Sequence, residues 1–153
     1  ALFARRPELE ALASPGPGPS WEVTSELNPA LLEIDVPSPT GNRERRLLIW
    51  MEGDVPSVSF GPWHGHADLL GEGAQALERF VDLVDGLLSD RVVLSFERPY
   101  PWACHPIDLS DPDALLEELT LPKSAERRCL LSFSGAADRE VGLEDLVRSL
   151  HST

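Results

Sequence analysis

The sequence predicts an α+β protein: an antiparallel sheet of about six strands, opening with a four-strand meander, and three or four helices mostly on one face. Three observations predict it. Between Trp21 and Phe60, apolar and polar residues alternate in short runs separated by turn residues, the pattern of half-buried strands joined by hairpins. From about Gly73 to Leu88 the apolar residues change to helical spacing. Strand and helix patterns then take turns, and an order with strands grouped first argues against a doubly wound parallel sheet.

The 153 residues suit one domain, 1–153. Within it, residues 1–20 form a short helix and a linker packed on the same core. Residues 6–13 read as the helix, with Pro7 in its first turn and Leu9, Leu12 and Ala13 as a small apolar face. Ser14-Pro-Gly-Pro-Gly-Pro-Ser20 reads as the linker. Trp21, Val23, Ser25 and Leu27 alternate with Glu22, Thr24 and Glu26, giving a first strand. Asn28-Pro29 turns the chain, and Leu32, Ile34 and Val36 mark a second strand. Pro37 to Asn42 is a longer loop. Arg45 to Glu52 is apolar on nearly both faces, which makes it a central strand. Gly53-Asp54 turns into a fourth strand, Val55 to Phe60.

In the helix that follows, Leu77, Phe80, Val81, Val84, Leu87 and Leu88 share a face. Residues 67–90 carry six acids and one arginine, so the opposite face is strongly negative, with Asp82 and Asp85 on it. Arg91 to Glu97 is a fifth strand, and Arg98 to Pro106 an aromatic, proline-rich loop. Asp111 and Pro112 suit the cap and first position of a short helix with Leu115, Leu116 and Leu119 inward. Arg128 to Ser134 is a sixth strand, and Leu143, Leu146, Val147 and Leu150 mark a last helix.

Net charge is −13, from 26 acidic and 13 basic residues. A surface of that sign opposes nucleic acid and anionic membrane, which attract positive charge. It favours fast association with a basic partner. No apolar run approaches the roughly 20 residues that span a bilayer. Cys104 and Cys129 lie in no Cys-x-x-Cys pair and read as two reduced thiols of a cytosolic protein.

Chemistry-bearing residues collect in Phe60-Gly-Pro-Trp-His-Gly-His-Ala-Asp68. His64 and His66 with Asp68 offer nitrogen and oxygen donors of the kind zinc takes, and His105 in the proline-rich loop offers a further one. The alternative is that one histidine packs at the sheet end while the other faces solvent. Cys104 beside His105 is the better of the two thiols for nucleophilic work, since Cys129 falls on the apolar face of a strand. Trp63, Tyr100 and Trp102 fall in loops next to these histidines, where they would form an interface patch or cover the open edge of the core. There is no Gly-x-Ser-x-Gly elbow and no phosphate-cradling glycine loop. No cofactor is expected.

Two resemblances attach to this run. His64-Gly-His66-Ala-Asp68 resembles the His-x-His-x-Asp-His metal motif of the metallo-β-lactamase fold, but Leu69 stands where the last histidine belongs. The longer stretch is similar to small bacterial immunity-type proteins encoded beside polymorphic toxins, whose strand-to-helix junction often reads Phe-Gly-x-Trp-His-x-His-Phe-Asp. Phe60, Gly61, Trp63, His64, His66 and Asp68 match, and Ala67 departs. The resemblance covers about residues 54–88. It implies a cytoplasmic protein that binds and neutralises a cognate toxin, with no catalytic role. The expected contact residues are Trp63, His64, His66, Asp68, Asp82, Asp85 and Trp102. The alternative expectation is a metal-dependent hydrolase or metal-binding protein centred on His64, His66 and Asp68.

Overall fold

The computed structural model describes residues 1–16, 31–98, 104–113 and 127–142. The chain folds as two compact units, Ala1–Asp85 and Gly86–Thr153.

The first unit opens with one helical turn, α1 (Leu2–Arg5), and a 3-10 turn, Pro7–Leu12. The continuous helix expected over 6–13 is broken at its start. Arg6 lies at φ −133°, ψ 72°, because the ring of a following proline disfavours helical backbone at the residue before it. Leu9 is buried, and its turn lies against β2 (Leu31–Val36). The other strands are β1 (Ala13–Gly16), β3 (Leu47–Glu52), β4 (Val55–Phe60) and β5 (Trp63–His66). All five pair antiparallel in sequence order. β3 is the middle strand, and Leu47, Leu48, Ile49 and Trp50 are all buried, so its two apolar faces are both used.

Two of these strands depart from the sequence reading. Ala13–Gly16 pairs with β2 where a linker was expected; at the end of the strand order, Pro15 costs the sheet little. Trp63–His66 is a strand and not a loop. It forms because Gly61-Pro62 closes a two-residue hairpin between Phe60 and Trp63, with Gly61 at φ 56°. Gly53-Asp54 does the same one hairpin earlier, with Gly53 at φ 61°. Positive φ at the first central residue is what a type II′ turn demands, and glycine supplies it without steric cost. The expected strand at 21–27 and turn at 28–29 lie outside the described residues.

Beyond β5, a 3-10 turn (Ala67–Leu70) leads to helix α2 (Gly73–Leu88). Ala76, Phe80, Val81, Val84 and Leu87 are buried along it. Each large side chain on that stripe contributes about 1.5–3 kcal/mol on burial.

In the second unit, β6 (Val92–Arg98), β7 (Cys104–Asp108), β8 (Arg127–Leu131) and β9 (Arg139–Gly142) form an antiparallel sheet in the order β7-β6-β8-β9. The architecture is α+β and antiparallel as expected, but the single six-stranded sheet is replaced by sheets of five and four strands. The unforeseen strands β1, β5, β7 and β9 have four or five residues each, too few for alternation to stand out. β7 arises inside the supposed proline-rich loop, and Pro106 is tolerated there because β7 ends the strand order. Val93, Ile107 and Leu130 form a core cluster, with Leu109 and Ala137 against it.

β8 stops at Leu131, short of the expected Ser134, because two carboxylates capture the next residues. Asp138 accepts from Ser132 N and Oγ at 2.8 and 3.1 Å. Asp90 accepts from Ser134 N at 2.9 Å and from its hydroxyl. The expected Asp111 cap is seen in its first bond, with Asp113 N donating to its carboxylate at 3.1 Å. Leu115, Leu116, Leu119 and the last helix at 143–150 lie outside the described residues.

Candidate functional site

The register of the first sheet sorts its residues by face, since side chains alternate along each strand. One face carries the rows Ile34, Ile49, Val58, Gly65 and Val36, Leu47, Phe60, Trp63. The other carries Glu33, Trp50, Ser57, His66 and Asp35, Leu48, Ser59, His64. The first is an apolar packing face. The second mixes carboxylates, hydroxyls and both histidines around two buried apolar residues, Trp50 and Leu48.

Each residue of β5 has a local reason for its place. Trp63 and Gly65 share the apolar face, and the indole lies over the glycine. A Cβ added at Gly65 would stand 2.6 Å from Trp63 Cζ2, closer than packing permits. His64 and His66 share the mixed face with ring centroids 5.4 Å apart and planes at 77°. His66 is half-buried; its Nδ1 is 2.7 Å from Ser57 Oγ, and its ring meets Trp50 edge-on at 6.4 Å. Ser57 lies between Trp50 and His66 in the cross-strand row and is small enough for those rings to meet above it. His64 is exposed. One histidine therefore packs and the other faces solvent, the arrangement weighed against a metal site in the sequence.

Ser57 is 0% exposed, which removes it as a nucleophile despite its bond to an imidazole. Its hydroxyl lies 2.7 Å from His66 Nδ1 and 3.5 Å from the Val55 carbonyl, and the imidazole tautomer sets which of the two receives its proton. Ser57 is the residue that sequence reasoning missed. The signal was present in Gly61-Pro62: once that dipeptide is read as a two-residue turn, counting back from it pairs Ser57 with His66.

The other expected residues divide between the units. Asp68 is exposed in the 3-10 turn after β5, beside Leu69, which is 75% exposed. Arg79 donates to the Leu70 carbonyl at 2.7 Å and ties this turn to α2. Asp82 and Asp85, expected to face a partner, already pair within the unit. Arg5 lies 3.4 Å from Asp82, and Arg6 lies 2.5 Å from Asp85. His105 is half-buried on β7 in the second unit. Tyr100 and Trp102 lie outside the described residues, so the expected aromatic patch has only Trp63 among them. No three His, Cys, Asp or Glu side chains gather as metal ligands among the described residues.

Cys104 is half-buried at the start of β7. Burial pushes its thiol up, against a smaller lowering by a backbone hydrogen bond. A thiol shifted upward stays protonated at neutral pH and makes a poor nucleophile. No helix among the described residues is long and apolar enough to cross a membrane. In comparisons with protein-family models, curated proteins and solved structures, nothing matched the chain.

Proposed function

We propose that the chain is a protein-binding inhibitor of immunity type, which neutralises a cognate bacterial toxin by direct contact. The observation that carries this reading is the charge of −13 together with where the exposed acids fall. Asp68, Glu72 and Glu78 are exposed along the run from β5 into α2, and Leu69, between the first two in sequence, is exposed as well. An apolar anchor within a charged rim is the anatomy of a protein-binding patch, and the acidic field draws in a basic partner such as a nuclease. Of the expected contacts on β5, His64 is the exposed one, whereas Trp63 is half-buried on the opposite, apolar face. Asp82 and Asp85 belong to the patch less, because arginines of the same unit hold them. The test is co-expression with the toxin encoded by the neighbouring gene. Cells survive with the wild-type chain, and a variant with Asp68→Lys, Leu69→Asp and Glu72→Lys fails to protect while remaining folded. Equal protection by that variant removes the patch from the account, and no protection by the wild type removes the reading.

The spacing of His64 and His66 favours a second reading, the binding of a divalent transition ion. Two imidazoles sharing one tetrahedral ion at the usual zinc–nitrogen length hold their centroids on the order of 5 Å apart. Since Ser57 holds His66 Nδ1, coordination would run through Nε2, with the Ser57 bond fixing the tautomer as outer partners of metal-bound histidines do. Metal content of untagged protein, wild type beside His64→Ala/His66→Ala, decides it. A near-stoichiometric ion lost in the variant supports this reading, and no ion ends it.

A further inference from the structure

The loop between β2 and β3 is basic in an acidic protein. Three of the 13 basic residues stand together at Arg43, Arg45 and Arg46. Arg43 and Arg46 line a solvent-open cleft of about 550 Å³ with Asp35, Ser38, Gly41 and Asn42. The loop holds its own shape. Ser38 Oγ and Thr40 Oγ1 share a hydrogen bond at 2.9 Å, Gly41 N donates to the Ser38 carbonyl at 2.9 Å, and Glu44 N donates to Asn42 Oδ1 at 2.9 Å. Gly41 takes φ 72°, which favours glycine there. Asn42 thus spends its oxygen within the loop and keeps its NH₂ group as a donor.

The two arginines differ. Arg46 lies 3.2 Å from Asp35. Arg43 is exposed, and among the described residues it pairs with no carboxylate. Arg5, Arg6, Arg46 and Arg91 each pair with a carboxylate, so a guanidinium beside a cleft with no such partner among the described residues keeps its binding capacity. Its planar fork matches the paired oxygens of a carboxylate or a phosphate. A pre-shaped loop also lowers the ordering cost of holding a ligand.

We propose that this cleft binds the oxyanion group of a small ligand, with Arg43 as its main contact, Arg46 as a second guanidinium shared with Asp35, and the Asn42 amide as a neutral donor. Carboxylate and phosphoryl groups share this chemistry. The site does not depend on the inhibitor reading and uses none of its residues.

The test is an NMR titration of the full chain with inorganic phosphate and, separately, acetate, at constant ionic strength set by chloride. The amide signals of Gly41 and Asn42 and the side-chain Nε–H of Arg43 shift and saturate. In Arg43→Gln the affinity falls at least tenfold, while Arg139→Gln, an exposed arginine of β9, leaves it unchanged. Tighter binding of phosphate assigns a phosphoryl ligand, and equal or tighter binding of acetate a carboxylate one. Shifts that grow linearly without saturating, or that are the same in Arg43→Gln, overturn the proposal. Arg43 is exposed, so unchanged signals outside the loop establish that the variant remains folded.

Discussion

At the scale of the residue, two small side chains set the geometry of β5. Gly65 leaves the space that the Trp63 indole occupies. Gly65→Ala therefore displaces the ring, at a cost of about 1–3 kcal/mol for overpacking. Urea unfolding reports that loss, and tryptophan emission moves to the red as the indole enters water. Ser57 orients His66 from a fully buried position. Ser57→Ala removes the hydroxyl beside the imidazole Nδ1 and costs about 1–3 kcal/mol, with a changed His66 tautomer balance in nitrogen NMR as its local mark. Neither role follows from the motif alone. The motif residues themselves stood out, but the partner of His66 lies nine positions away and is found only through the hairpin register.

Among the elements, what was legible depended on length. β3 and α2 have six and sixteen residues; their apolar patterns repeat enough times to identify a central strand and an amphipathic helix. The four short strands do not repeat their pattern, and proline or glycine in β1, β5, β7 and β9 reads locally as loop. The junction of α2 and β6 shows what holds such short pieces. A Cβ at Gly86 would meet Val92 Cγ2 at 2.5 Å, so helix end and strand start approach at van der Waals contact. Asp90 then turns the chain at φ 57°, a region few residues other than glycine adopt, while its carboxylate binds Ser134. Asp90→Ala loses these bonds and keeps the unfavourable backbone, so it destabilises the second unit by about 2–4 kcal/mol. Asp90→Asn, which tolerates that backbone and retains an acceptor, loses less. Chemical denaturation followed by signals of β8 separates the two.

The β6–β7 pair also has an acid-sensitive contact. Burial alone would raise the Asp108 carboxyl. Hydrogen bonds from Ser110 and the Arg91 guanidinium outweigh it and hold the group below its ordinary value of 3.8. Because the folded value is the lower one, the stabilisation is present above 3.8 and is lost as pH falls through the folded value. Arg91→Gln raises the Asp108 titration midpoint in carbon NMR and brings acid unfolding of this sheet to higher pH. An unchanged midpoint removes Arg91 as a cause.

Across the whole molecule, charge is the property that the sequence displays most directly and on which the proposed function rests. The excess of acids over bases needs no fold to be read. Which acids remain for a partner does need one: Asp82, Asp85 and Asp35 pair with arginines of their own unit, whereas Asp68, Glu72 and Glu78 are exposed with no ion pair to an arginine among the described residues. The division at Asp85 and Gly86 has no signature in composition, because it falls within one continuous helix. The claim that joins these observations is that the exposed acidic run beyond β5 binds a basic toxin. Its most direct test is the affinity of the purified chain for basic toxin domains encoded by neighbouring genes, wild type against Asp68→Lys/Glu72→Lys, at low and high salt. The account predicts a one-to-one complex whose association slows with salt and whose affinity falls at least tenfold in the charge-reversed variant. No complex, or an affinity indifferent to both salt and charge reversal, contradicts it.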